Sequence, residues 1–212
     1  MDLLSSLESS QRLDLDGLVY LRGYALPNQT QLLDDLHAVI SAAPLRQMMT
    51  PMGFAMSVAT TSCGALGWVS DQQGYRYSPI DPIRQAPWPA MPESFFVLAN
   101  TAANIAGYTD FAPDACLINQ YQIGTKMGLH QDKNERDFTQ PIVSVSLGIA
   151  ARFQFGGKKR TDKPTQLRLE HGDVIVWGGD ARLNYHGIMT MQSGCHAILG
   201  STRVNLTFRK AG

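Results

Sequence analysis

With 212 residues, 44% of them hydrophobic and 17% charged, the chain is long enough to bury one sizeable core and has neither the composition of a disordered tail nor an apolar run near the ~18 residues of a membrane span. Eighteen Lys and Arg balance eighteen Asp and Glu, which excludes a globally basic nucleic-acid binder, so any such partner must be held by a local patch. Cys63, Cys116 and Cys195 are far apart and form no CxxC pair, and Asp2 and Glu8 stand where a signal peptide would be basic, so a cytoplasmic location and a single domain over 1–212 are expected.

In chain order, GLVYLRGYAL at 17–26 reads as a strand, and Asn28 opens a helix in which Leu32, Leu33, Leu36, Val39 and Ile40 recur at helical spacing up to Pro44. From about 45 to 91 the chain is rich in Met, Gly, Pro and aromatics with little periodicity, and reads as a lid. Pro92 suits a first helical turn, Phe95, Leu98, Ala99, Ala102 and Ala106 follow on one side, and Gly107 suits the stop. From about 113 onward, short strands are predicted at 114–121, 142–149, 151–155, 166–170, 173–177 and 203–209. The expected fold is mainly β: N-terminal helices and loops packed on a jelly-roll core.

His130 and Asp132 are two residues apart, which on an extended segment puts both side chains on one face. His186, in Asn184-Tyr185-His186-Gly187, is the best-placed third ligand. Two histidines and one carboxylate leave open positions on iron for a bidentate 2-oxoacid and O2. In the segment 203–209, alternation sends Val204, Leu206 and Phe208 to one face and Arg203, Asn205, Thr207 and Arg209 to the other. That strand is either a solvated basic edge or, if buried, a site for an anion, because an unpaired guanidinium is costly to desolvate. Asn119 and Tyr121 alternate in the same way. His171 sits in a turn and reads as structural.

The set Asn119-x-Tyr121, His130-x-Asp132, His186 and Arg203-x-Asn205-x3-Arg209, with stretches such as SPIDP, PWPAMP, LHQDK, PIVSVSLG and FQFGG, resembles the bacterial AlkB nucleic-acid demethylases from about residue 17 to the end. The resemblance implies a double-stranded β-helix core at about 113–212 with a nucleotide-recognition lid at about 45–91. It implies Fe(II) on His130, Asp132 and His186, with O2 and 2-oxoglutarate as cosubstrates, the latter held by Asn119, Tyr121, Arg203, Asn205 and Arg209, with Gln120 included from the same strand. It further implies a methylated base between Trp68 and the His130 ring, with Tyr75, Tyr77 and Arg160 on the flipped base or nucleotide backbone.

The family carries a second acid two residues after its iron-binding Asp, where this chain has Asn134, an amide that keeps an acceptor oxygen but loses the charge. The implied reaction is oxidative demethylation of 1-methyladenine and 3-methylcytosine in single-stranded or duplex DNA, with RNA as an extension. No membrane and no obligate protein partner are expected. Two alternatives remain open from the residues alone: the same chemistry on a protein or small metabolite, and a non-catalytic jelly-roll module holding a metal.

Overall fold

The structure is a computed structural model that describes residues 12–212; Asp2 and Glu8 lie outside the described residues. Helix α1 (Gln29–Ala42) begins after Asn28 and buries Leu32, Leu33, Leu36 and Val39. It stops because a residue before proline is pushed out of the helical region, and Ala43 accordingly sits at φ −136°, ψ 92° ahead of Pro44. Helix α2 (Glu93–Ile105) follows Pro92, buries Phe95, Leu98, Ala99, Ala102 and Ala103, and ends before Gly107 at φ +97°. Among the described residues no helix is long and apolar enough to cross a membrane.

Sixteen strands are described. β1 (Arg12–Leu15) and β2 (Leu18–Leu21) form a hairpin. The strand predicted over 17–26 is therefore shorter than expected, because Gly23 takes φ +63° and the chain turns into a 3-10 helix at Leu26–Asn28. β3 (Arg46–Met49) and β4 (Ala55–Gly64) form a second antiparallel pair, followed by the hairpin β5 (Gly67–Asp71) and β6 (Gly74–Ser78) and the short pair β7 (Ile80–Asp81) and β8 (Ala86–Pro87). Then come β9 (Ala115–Tyr121), β10 (Met127–His130), β11 (Ile142–Gly148) and β12 (Ala151–Phe155). The chain finishes with β13 (Thr165–Leu169), β14 (Val174–Trp177), β15 (His186–Ile188) and β16 (Arg203–Arg209).

These strands build an eight-stranded sheet in the order β1-β2-β14-β11-β16-β9-β4-β3 and a four-stranded sheet in the order β10-β15-β12-β13. The stretch read as a lid is thus divided: β3 and β4 extend the large sheet beyond β9, and only the β5–β8 region stands apart from both sheets. Its Met- and Gly-rich sequence hides β4, whose Val58, Thr60, Thr61, Ser62 and Cys63 are all buried.

Each face of the large sheet has its own core. Cys63, Cys116, Ile118, Val143, Val145, Leu206 and Phe208 pack against α1 and α2. On the other face Tyr121, Ile142, Ile175 and Trp177 meet Phe153, Phe155, Leu169 and Ile188 of the small sheet. Cys63 and Cys116 are direct cross-strand neighbours, fully enclosed on the helix side, whereas Cys195 is exposed. Two facing antiparallel sheets of this kind are a jelly roll.

Candidate active site

Between the two sheets lies a cavity of about 420 Å³. The ligand candidates meet there through strand pairing. β10 and β15 place His130 directly opposite His186, with ring centroids 4.4 Å apart. Gly187 makes this close pairing possible, since a Cβ there would stand 2.7 Å from the Met127 carbonyl oxygen. Asp132 follows just past the end of β10, its Oδ1 3.6 Å from His130 Nε2 and its Oδ2 3.7 Å from His186 Nε2.

The protonation pattern suits a metal. His130 Nδ1 lies 2.9 Å from the Gly128 carbonyl oxygen and His186 Nδ1 lies 3.0 Å from that of Asn184. A carbonyl only accepts, so each Nδ1 carries the proton and each Nε2 turns its lone pair toward Asp132. Burial, reinforced by His130, pushes His186 down to about 4, so it is neutral at physiological pH. Burial alone would raise the Asp132 carboxyl, but the charge of Arg209 and the two histidines outweigh it and hold the group well below the usual carboxylate range. Among the described residues these three form the one group of ligating side chains, with ligand atoms all within 4.8 Å of one another.

β16 is an interior strand between β11 and β9, so its polar face is buried and the solvated-edge alternative is excluded. Arg209 reaches Asp132 Oδ2 through Nε at 3.0 Å and NH2 at 2.5 Å. Asn205 is fixed by its own neighbours: its Nδ2 donates to Ser144 Oγ and the Val145 carbonyl, and its Oδ1 accepts from Thr207. Arg203 differs from both. It is 1% exposed, lies over the Tyr121 ring at 5.0 Å and donates NH2 to Ser146 Oγ, while Nε and NH1 have no partner among the described residues. Burial pushes its guanidinium down, the direction expected for a desolvated cation without a counter-charge.

Asn119 and Tyr121 pair in register with Asn205 and Arg203 and line the same cavity. Gln120 is a correction. Alternation turns it to the helix side, opposite Val204, and it does not line the cavity.

Trp68, Tyr75, Tyr77, Asn134 and Arg160 all line the same cavity. Trp68 and Tyr75 stack within the β5–β6 hairpin, with ring centroids 5.5 Å apart and planes 12° from parallel. Trp68 Nε1 donates to Asn134 Oδ1 and Asn134 Nδ2 to the Tyr75 carbonyl, both at 3.4 Å. His171 is structural, as read: its Nδ1 accepts from the Gly148 amide and its Nε2 donates to Gln29 Oε1.

Sequence reasoning missed Glu135 and Arg182. Glu135 accepts from the Tyr77 hydroxyl at 2.7 Å and pairs with Arg182 at 3.1 Å and Arg209 at 3.3 Å. Arg182 also donates to the Asp132 carbonyl. This buried group ties the hairpin, the ligand loop and β16 together. Its partners come from four distant segments, so no local pattern announces it. Ser144 and Ser146 were findable, since they alternate with Val143, Val145 and Leu147 along β11.

A family model for the 2OG-Fe(II) oxygenase superfamily matches residues 17–209, and the chain belongs to that superfamily. It is 55% identical to the alpha-ketoglutarate-dependent dioxygenase AlkB of Escherichia coli (strain K12), over all of this chain and 98% of that protein. The AlkB of Salmonella typhimurium is 54% identical over 92% of this chain and 90% of its own length. Among solved structures, one titled "The structure of OsALKBH1" superposes with a TM-score of 0.80 at 27% identity, covering 94% of this chain and 99% of that one. The chain is an AlkB-type dioxygenase that uses Fe(II), O2 and 2-oxoglutarate.

Proposed function

We propose that the chain reverses alkylation damage by oxidative demethylation of 1-methyladenine and 3-methylcytosine in DNA, and extends to RNA. One observation carries the reading: a buried cation lacking a counter-charge and a His-Asp-His cluster open into one cavity whose mouth is a stacked Trp-Tyr hairpin. The donor set fits Fe(II), being two imidazole Nε2 lone pairs and one carboxylate on one side. Arg203 fits a dicarboxylate, which would supply the counter-charge its burial demands.

His130, Asp132 and His186 hold the metal in this reading, and Arg203, Arg209, Asn119, Tyr121 and Asn205 surround 2-oxoglutarate. Iron held by these residues would supply the oxidising chemistry, with O2 and 2-oxoglutarate as cosubstrates: 2-oxoglutarate would leave as succinate and CO2, and the N-methyl carbon, once hydroxylated, as formaldehyde. Arg209 keeps Asp132 ionised and fixes its orientation. Tyr121 and Phe153, both buried, present ring surface to the inner cavity. Trp68 offers an indole face to a base taken out of its stack, and a cationic methylated base over that face gains ~0.5–2 kcal/mol. Tyr75, Tyr77 and Arg160 line the rim where the nucleotide backbone enters, and Asn134 stands at the base edge. A cytoplasmic location, supported by three free thiols, belongs to the same reading.

The deciding experiment loads the protein anaerobically with Fe(II) and 2-oxoglutarate, admits O2, and measures formaldehyde and succinate on oligonucleotides bearing single defined methyl lesions. Equal amounts of both products on methylated strands are expected. Succinate without formaldehyde on every lesion would move the substrate to another class.

A further inference from the structure

The overall charge of zero hides a strong local imbalance. Between Ala151 and Glu170 stand six cations, Arg152, Lys158, Lys159, Arg160, Lys163 and Arg168, against only Asp162 and Glu170, so this segment carries +4 and the rest of the chain −4. All six cations are exposed. The segment is one hairpin, β12 and β13 with their connecting turn, at the edge of the small sheet.

Its inner face is apolar: Phe153, Phe155 and Leu169 belong to the core between the sheets. The outer face is not. Arg152 lies directly opposite Arg168, and Gln154 directly opposite Gln166. Like charges facing each other across a ladder are destabilising, and Arg168 is offset only by Glu170, an ion pair whose side chains are 72% and 60% exposed. Among the described residues the Arg152 guanidinium makes no ion pair. A face with two opposed, exposed arginines and a pair of amides has the chemistry of a phosphate-backbone track.

The face is also connected to the site. The turn is tied to the strand that carries His186 by reciprocal backbone bonds, Gly156 N–H to the Tyr185 carbonyl and Tyr185 N–H to that of Gly157. Arg160 of the same turn lines the cavity rim. From that rim the cations run past Lys158, Lys159 and Lys163 onto the sheet face, where Arg152 and Arg168 lie several residues of strand, roughly 10–15 Å, further on.

Resting on the substrate reading above, we infer that the outer face of the β12–β13 hairpin is a docking track for the single strand flanking the flipped base, with Arg152 and Arg168 as its distal phosphate contacts.

The test is Arg152→Gln/Arg168→Gln, two exposed positions outside the core, checked by an unchanged thermal midpoint. Binding is followed by fluorescence anisotropy on the Fe(II)- and 2-oxoglutarate-loaded protein under anaerobic conditions. The probes are a single-stranded oligonucleotide of about 15 nucleotides with a central 1-methyladenine and a trinucleotide with the same lesion. Each phosphate contact on a single strand contributes ~0.7 to the slope of log affinity against log salt, so removing two should lower it by about 1.4 and weaken binding on the order of 10-fold near 0.1 M salt. The loss should be confined to the long strand.

Equal slopes for the two proteins on the long strand, with oligonucleotide turnover intact, would remove the track and leave the substrate reading standing. An equal loss on the trinucleotide would overturn it too, by placing the effect in the cavity. If the wild type makes formaldehyde from no oligonucleotide, the substrate reading falls and the track with it. Capture by phosphatidylserine vesicles that the double variant loses, with no change in slope on DNA, would assign the face to a membrane surface instead.

Discussion

Arg203 is the residue where burial and charge conflict most sharply. A guanidinium 1% exposed, with two nitrogens unpartnered, is tolerable only where an anion completes it. Arg203→Ala is expected to cost ~1.5–3 kcal/mol of 2-oxoglutarate binding, a rise of about 10- to 100-fold in the concentration needed for half-maximal succinate release. Iron affinity, measured by metal titration, should be far less affected, because Arg203 does not touch the ligand cluster. Asn134 is the second telling residue. Asn134→Asp keeps the acceptor for Trp68 Nε1 but loses the donor to the Tyr75 carbonyl, and puts a negative charge at the rim. The ratio of turnover on 1-methyladenine to that on neutral 1-methylguanine should rise relative to wild type. A ratio that does not move would place this side chain away from the base.

Among elements, β16 was the most legible in sequence, because strict alternation of apolar and polar residues is a strong signal and the sheet uses both faces. In the small sheet β12 and β13 were legible, whereas β10 and β15, four and three residues long, are too short to show a period and were not predicted as strands. The stretch 45–91 was not: β3 and β4 carry no clean period, since β4 is buried on both faces and must interleave small polar residues with apolar ones. The Glu135–Arg182 pair was invisible because its logic is entirely tertiary.

The turn between β13 and β14 yields a pH prediction. Burial, then the neighbouring His196, pushes His171 below its ordinary 6.5, and its Nδ1 must stay unprotonated to accept from the Gly148 amide. The folded state therefore binds this proton less readily than the unfolded chain. Its contribution is full above 6.5 and is lost as pH falls from there through the lower folded value. Thermal midpoints of wild type and His171→Asn across that window should converge as pH drops. Parallel curves would show that this histidine contributes nothing to the pH dependence.

Across the whole molecule, the apolar core between the two sheets gives way to a cavity lined by Asn119, Arg203, Asn205, Arg209 and the ligand cluster, a set of buried polar groups that bound ligands would complete. Fe(II) and 2-oxoglutarate should therefore act as structural components: at about 100-fold over their dissociation constants each single-site binding event adds ~2.7 kcal/mol to stability. Anaerobic thermal melts should rise on adding both and fall on chelation. An unchanged midpoint at saturating ligand would mean the cavity is already satisfied without them.

The placement of the cysteines turns the fold into its own reporter. Cys63 and Cys116 face each other in the core on the helix side of the large sheet, walled off from the oxidising cavity by the sheet itself, while Cys195 sits in the open. A thiol reagent should modify one site in the native protein and three in denaturant. The rate at which the second and third react then measures opening of the β4–β9 region, because a group with no exposed surface reacts only when its surroundings come apart. Reaction at all three sites as fast as at Cys195 alone would mean that this part of the sheet opens freely in the native state.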